Sequence, residues 1–170
     1  QIDVKTAFLN GELDEEIYME QPERFFVPGK EKKVCKLVKS LYGLKQATKQ
    51  WLEKFDKVMI SNRFKINEWD KCVYIKNTNI GYVIVCLYVD DMLIIGSNND
   101  MIKTTKKMLN KHFDTKDMGR ADVILSMKIT KTSEGYVLSQ SYYVEKILDK
   151  FSKDHLARTL VDVNLYLFKN

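Results

Sequence analysis

The stretch CLYVDDMLIIG, residues 86–96, sets Asp90 and Asp91 side by side where two apolar runs meet. Period-2 alternation on both sides predicts a β-hairpin, with Val85 to Val89 as one strand, Met92 to Ile95 as the other and the acids in the turn. Asn-Gly is the unstrained choice for such a turn, although Asp tolerates φ > 0 better than most residues. Adjacent carboxylates at a hairpin tip repel one another and lose hydration, so they protonate or need a cation. Magnesium would resolve the conflict: it prefers hard oxygen ligands and accepts one or two protein carboxylates plus substrate phosphates. The bland alternative is a solvated turn, the commoner fate of an isolated Asp-Asp pair.

The rest of the chain alternates between periods of 2 and about 3.6, which predicts an α+β fold. Residues 1–9 read as a strand running into a turn at Asn10-Gly11, and Tyr18 to Pro28 as extended and loop structure around two prolines. KVCKLVKSLYG reads as a short strand or irregular segment ended by Gly43. A helix is expected over 46–62, with Ala47, Trp51, Phe55 and Val58 on its inner face. Stretches 72–77 and 81–95 are β-rich, joined by a turn at 77–81. Ser97 to Asp100 offer caps for a helix with Met101, Thr105, Met108 and Leu109 inward. Strands at about 122–130 and 136–140 follow, and then a helix capped by Ser141 with Val144, Ile147, Leu148 and Phe151 on one face.

No apolar run approaches the roughly 20 residues needed to cross a bilayer, and no charged-then-apolar leader opens the chain, so an intracellular location without membrane contact is expected. The opening residues QID read as the inside of a strand, as in a segment cut from a longer polypeptide. Cys35, Cys72 and Cys86 are odd in number and widely spaced, which favours core thiols over zinc or disulfides. The net charge of +5, from 28 Lys and Arg against 23 Asp and Glu, permits a polyanionic partner without demanding one.

A third acid, Asp3, follows Ile2 near the start of QIDVKTAF. If its strand lies beside the 85–95 hairpin, Asp3 and Asp90 face each other across a shared metal pair. Two metals about 3.5–4 Å apart can activate a 3′-hydroxyl and steady a leaving pyrophosphate.

The segments QIDVKTAFLNGELDEEIYMEQPE, SLYGLKQATKQW, LYVDDMLIIG and SQSYYVEKIL, in that order, resemble the reverse transcriptase domain of copia-type LTR retrotransposons over nearly the whole chain. The resemblance implies an RNA-directed DNA polymerase within a Pol polyprotein. It implies a right-hand polymerase palm, an antiparallel sheet packed on helices, with the start of a thumb-side hairpin and helix from about residue 120. The fingers would lie before residue 1. Asp3, Asp90 and Asp91 would be the catalytic, metal-binding acids for two Mg2+, with Mn2+ as a substitute. Val4, Lys5, Thr6, Ala7 and Phe8 would contact the nucleotide: the backbone of Lys5 to Ala7 cradles the triphosphate and Phe8 lies under the sugar. Gln46 would sit near the incoming nucleotide and Tyr88 near the primer. The implied partners are an RNA or DNA template with its primer, deoxynucleoside triphosphates, and the RNase H and integrase regions of the polyprotein. The implied location is a cytoplasmic virus-like particle.

The chain departs from the family pattern at Arg24, Thr48, Lys49, Ser126 and Leu160. Pro and Gly are expected at 48 and 126, and Thr48-Lys49 is placed to perturb the helix start beside Gln46. Trp51 and Phe55 read as helix core rather than base-stacking platforms. His112 and His155 read as surface or helix-end residues, and the lysines of KTTKKMLNKHF as a solvated helix face. Two rivals stand beside the polymerase reading. A haloacid-dehalogenase-type phosphatase could use the DVKT segment, but Lys5 stands where its second acid belongs and Asp90-Asp91 goes unexplained. A silent relic, or a nucleic-acid-binding fragment without fingers, would keep the fold and lose the activity.

Overall fold

The expected hairpin forms the middle of a six-stranded antiparallel sheet. A computed structural model describes residues 1–150 of the chain; Phe151, His155 and Leu160 lie outside the described residues. The chain divides into two compact units after Arg120.

In the first unit, β1 (Ile2–Val4) leads into a 3-10 turn at Ala7–Asn10, where a longer strand to residue 9 was expected. Two short strands, β2 (Tyr18–Met19) and β3 (Cys35–Lys36), pair with each other around the proline-containing loop. Then come α1 (Ala47–Ser61), β4 (Lys65–Ile66), β5 (Val73–Thr78), β6 (Gly81–Tyr88), β7 (Asp91–Gly96), α2 (Asn99–His112) and β8 (Thr115–Asp117). The sheet order is β4-β5-β6-β7-β1-β8. The first strand is therefore inserted between the acid-bearing hairpin and the last strand of the unit.

Alternation decides which face is covered. Val83, Val85 and Leu87 of β6, Met92 and Ile94 of β7, and Ile2 and Val4 of β1 are buried against residues of α1 and α2. Along α1 the buried stripe is Ala47, Trp51, Phe55 and Met59 at a constant spacing of four, so Met59 takes the place expected for Val58, which is half-buried. Thr48 and Lys49 do not delay the helix, which begins at Ala47. The Asn98 side chain accepts the Asp100 N–H at 2.8 Å and caps α2, whose Met101, Thr105 and Leu109 are buried while Met108 is half-buried. The rings of Trp51, Phe55 and Phe113 pack at 5.0 to 5.6 Å between centroids. From α1, the Asp56 carboxylate accepts the hydroxyl of buried Tyr74 on β5 at 2.7 Å. Burial, and then this bond, raise the Tyr74 pKa.

The second unit, from Ala121, holds β9 (Val123–Ile124), β10 (Met127–Lys131), β11 (Tyr136–Ser139) and α3 (Ser141–Leu148). Its three-stranded sheet has the order β11-β10-β9. Gln140, not Ser141, is the residue that flanks α3. The strand expected at 122–130 is broken by a two-residue turn, Leu125-Ser126, in which both φ values are positive, 49° and 64°. Such a turn prefers Asn-Gly. Ser126→Gly should therefore stabilise this unit by about 1 kcal/mol, because glycine adopts φ > 0 without the Cβ clash. Denaturant unfolding of the two chains measures this, and an unchanged or lower midpoint for the variant would refute the turn assignment.

Among the described residues no helix is long and apolar enough to cross a membrane.

Candidate active site

Strand insertion brings Asp3 to the hairpin. Asp3 pairs directly with Asp91 of β7 on one side and with Lys116 of β8 on the other, and Asp91 pairs with Tyr88 of β6. Directly opposed residues of antiparallel strands share a face, with Cβ atoms about 4.5–5.5 Å apart. Lys116, Asp3, Asp91 and Tyr88 thus form one row across four strands, on the face away from the buried core. The two carboxylates are half-buried, while Lys116 and Tyr88 are exposed. The Gln1 side-chain amide donates to Asp91 Oδ1 at 2.9 Å.

The turn differs from the expected one. Pairing of Tyr88 with Asp91 closes a two-residue turn of Val89 and Asp90, so Asp91 belongs to the strand and Asp90 alone is in the turn. The residue opposite Asp3 is consequently Asp91, not Asp90. The positive φ falls on Val89, at 55°. A β-branched residue in that region is an outlier that persists only where its surroundings over-determine it. Two hydrogen bonds do so here. The indole N–H of Trp51, a side chain only 1% exposed, donates to the Val89 carbonyl at 2.7 Å, and the Val4 N–H donates to the Asp90 carbonyl at 2.8 Å. Helix α1 and strand β1 each grip one of the turn's two carbonyls.

Asp3, Asp90 and Asp91 are hard oxygen donors with no nitrogen or sulfur among them, a set that suits a hard divalent cation. Like charges directly opposite in a sheet are destabilising, so the Asp3–Asp91 pair itself calls for positive charge nearby. Among the described residues no three His, Cys, Asp or Glu side chains are gathered closely enough to hold a metal ion. The backbone brings the three acids side by side without closing their carboxylates on a common point.

Past Asp3 the chain turns sharply, with Thr6 in the left-handed region at φ 51°. The Lys5 N–H donates to the Asp114 carbonyl at 2.9 Å, and the Lys5 ammonium lies 3.1 Å from the Asp114 carboxylate. Val4 and Lys5 therefore have their N–H groups committed, although Lys5 was among those expected to cradle a triphosphate. The N–H groups of Thr6, Ala7 and Phe8 have no partner among the described residues. Phe8 is half-buried against the core cluster, with its ring 4.4 Å from that of Tyr42. Gln46 stands at the start of α1 and lines a 230 Å³ cavity with Asp14, Glu15, Lys49, Gln50 and Glu53.

Two functional candidates had escaped notice in the sequence. Trp51 carried a helix-core signal that was correct as far as it went, but nothing in the chain links residue 51 to the carbonyl of residue 89. Lys116 has no signal of its own; only the β1–β8 register puts it beside Asp3.

Comparison with known proteins identifies the family. The model of the family described as reverse transcriptase (RNA-dependent DNA polymerase) matches residues 1–160. The retrovirus-related Pol polyprotein from transposon TNT 1-94 of Nicotiana tabacum is 53% identical over 155 residues, covering 89% of this chain and 12% of the polyprotein. The corresponding polyprotein from transposon RE1 of Arabidopsis thaliana is 32% identical over 148 residues, 87% of the chain and 10% of the polyprotein. The transposon Ty1-NL2 Gag-Pol polyprotein of Saccharomyces cerevisiae is 30% identical over 168 residues, 96% of the chain and 9% of the polyprotein. The chain thus spans about a tenth of the length of these relatives. No solved structure matches it. With the acid-bearing hairpin, the inserted first strand and a family match over nearly its whole length, the chain belongs to the reverse transcriptase (RNA-dependent DNA polymerase) family, in the form carried by copia-type retrotransposon Pol polyproteins.

Proposed function

We propose that this chain is the palm and the beginning of the thumb side of an RNA-directed DNA polymerase acting within a Pol polyprotein. The observation that carries the reading is the register that sets Asp3 opposite Asp91, with Asp90 in the adjoining turn. Asp3, Asp90 and Asp91 would hold two Mg2+, or Mn2+ in their place, which when bound supply the charge that activates a primer 3′-hydroxyl and steadies pyrophosphate. Tyr88, exposed at the end of the same row, meets the primer terminus. The N–H groups of Thr6, Ala7 and Phe8, unpartnered among the described residues, bind triphosphate oxygens, and Gln46 contacts the incoming nucleotide. Positioning supplies much of the rate in phosphoryl transfer. The working enzyme accordingly includes polyprotein regions beyond this chain: fingers, RNase H and integrase. Its substrates are deoxynucleoside triphosphates and a primed RNA or DNA template, and its setting is a cytoplasmic virus-like particle.

The test is primer extension on an RNA template by a Pol polypeptide that carries this chain. Magnesium-dependent addition of deoxynucleotides is the expected result, and none under any divalent metal would sink the proposal.

Sugar selection follows from Phe8. If the segment from Asp3 to Phe8 wraps the triphosphate, the Phe8 ring leaves no room for a 2′-hydroxyl. Phe8→Val should then admit ribonucleotides with modest loss of deoxynucleotide use. Its contact with Tyr42 and the core supports the competing role of packing. If packing is the whole role, the variant loses about 1–3 kcal/mol of stability with its deoxy-to-ribonucleotide ratio unchanged, and Phe8 leaves the site.

A further inference from the structure

We propose that the β4–β5 loop is a nucleic-acid contact that extends the acid-bearing end of the sheet outward through Lys71 to Trp69. The proposal rests on the polymerase reading and adds a surface to it.

The loop lies at the same end of the sheet as the acids. Val73 pairs with Cys86, and the Leu87 N–H donates to the Cys72 carbonyl at 2.9 Å. Lys71 precedes Cys72 in the turn at that end of β5, and Tyr88, which stands opposite Asp91, follows Leu87 at the same end of β6. Trp69, two residues before Lys71, is 95% exposed, whereas the other tryptophan of the chain, Trp51, is 1% exposed. The loop that presents the ring is tied down. The Asn67 side chain accepts the N–H groups of Trp69 and Asp70 at 2.8 and 3.1 Å, and the Asp70 side chain accepts the Cys72 N–H at 2.9 Å. The fold holds a large aromatic ring in water at the acid-bearing end of the sheet without giving it a packing partner among the described residues.

Its charged neighbours suit a polyanion. Arg63, Lys65 and Lys71 are exposed and make no ion pair among the described residues. Arg63 and Lys65 line a 330 Å³ groove with Asn67, Glu68 and Asn77. Glu68 and Asp70 are the opposing charges in the loop, and the Asp70 carboxylate is occupied by a backbone N–H. Cations along a groove beside an exposed ring are what strand binding uses: the cations meet phosphates and the ring stacks on a base. The strand is either single-stranded template or primer–template duplex, and the experiment separates these.

With only two tryptophans, one of them buried, acrylamide quenching of intrinsic fluorescence in the 170-residue chain reports Trp69. Addition of a single-stranded oligonucleotide in one arm and a primer–template duplex in the other should shield the ring, and the arm that shields it at lower concentration identifies the strand. Trp69→Ala should weaken that binding by roughly five- to 150-fold. Lys71→Ala should reduce the slope of log affinity against log salt by about 1. Both positions are exposed, so equal melting temperatures confirm that the variants fold. A ring equally accessible with and without both nucleic acids, or a Trp69→Ala variant with unchanged affinity, overturns the proposal. The same measurement on Asp90→Asn keeps the two ideas apart: shielding retained while primer extension is lost supports both the loop contact and the catalytic assignment, shielding retained with extension retained overturns the assignment of Asp90 alone, and a parent polypeptide that extends primers while Trp69 stays unshielded overturns the loop contact alone.

Discussion

Asp3→Asn and Asp90→Asn, each made in a Pol polypeptide that extends primers, should each cut nucleotide addition by roughly a thousandfold or more. Metal-held charge contributes several kcal/mol to such a transition state, and each 1.36 kcal/mol is a factor of ten in rate. The accompanying change in stability should be small for Asp3. That residue stands directly opposite Asp91 on one side and Lys116 on the other, so neutralising it removes one like-charge pair and one opposite-charge pair and leaves the metal-free fold about as stable as the parent. Asp90 lies in the turn, outside both pairs. Thermal melts with and without magnesium complete the comparison: the parent should gain stability from the ion and the Asp3→Asn chain much less. Extension preserved in either variant would remove that acid from the site.

Trp51→Ala should be the most destabilising single substitution in the first unit, by about 3–5 kcal/mol, because it empties a fully buried indole position between Phe55 and Phe113. Trp51→Phe is the sharper experiment. It keeps a ring in the core and removes the donor to the Val89 carbonyl, leaving that acceptor without its partner at a cost of about 1–3 kcal/mol. Because Val89 is held at φ 55° partly by this bond, the turn should relax and carry Asp90 with it. A fall in extension rate larger than the loss of stability explains, measured below the melting temperature, would mark Trp51 as a positioning residue. Equal activity in the folded variant would show that the Val4 bond to Asp90 holds the turn by itself.

The two hairpins show where sequence reading reaches its limit. Alternation located β6 and β7 to within a few residues, since a strand with one buried face must repeat every second residue. It could not say which two residues make the turn, because shifting the turn by one leaves the same apolar residues in the strands. Placing Val89 there contradicts local preference, and only the grip of Trp51 and Val4 on the turn's carbonyls accounts for it. At 122–130 the error ran the other way. Leu125 and Ser126 resemble strand interior in composition, yet both occupy φ > 0 in a tight turn.

The sequence alone determined the class of fold and the inner faces of α1 and α2, and it singled out the three acids as candidates, because these depend on local periodicity and on residue chemistry carried in ordered motifs. Tertiary structure alone decided that Asp3 stands opposite Asp91, that Lys116 and Tyr88 complete the row, and that Trp51 supports the turn. Those relations depend on β1 inserting between β7 and β8, a pairing of strands far apart in the chain. The free energy of that pairing lies in contacts across the whole sheet, and no local stretch of residues encodes it.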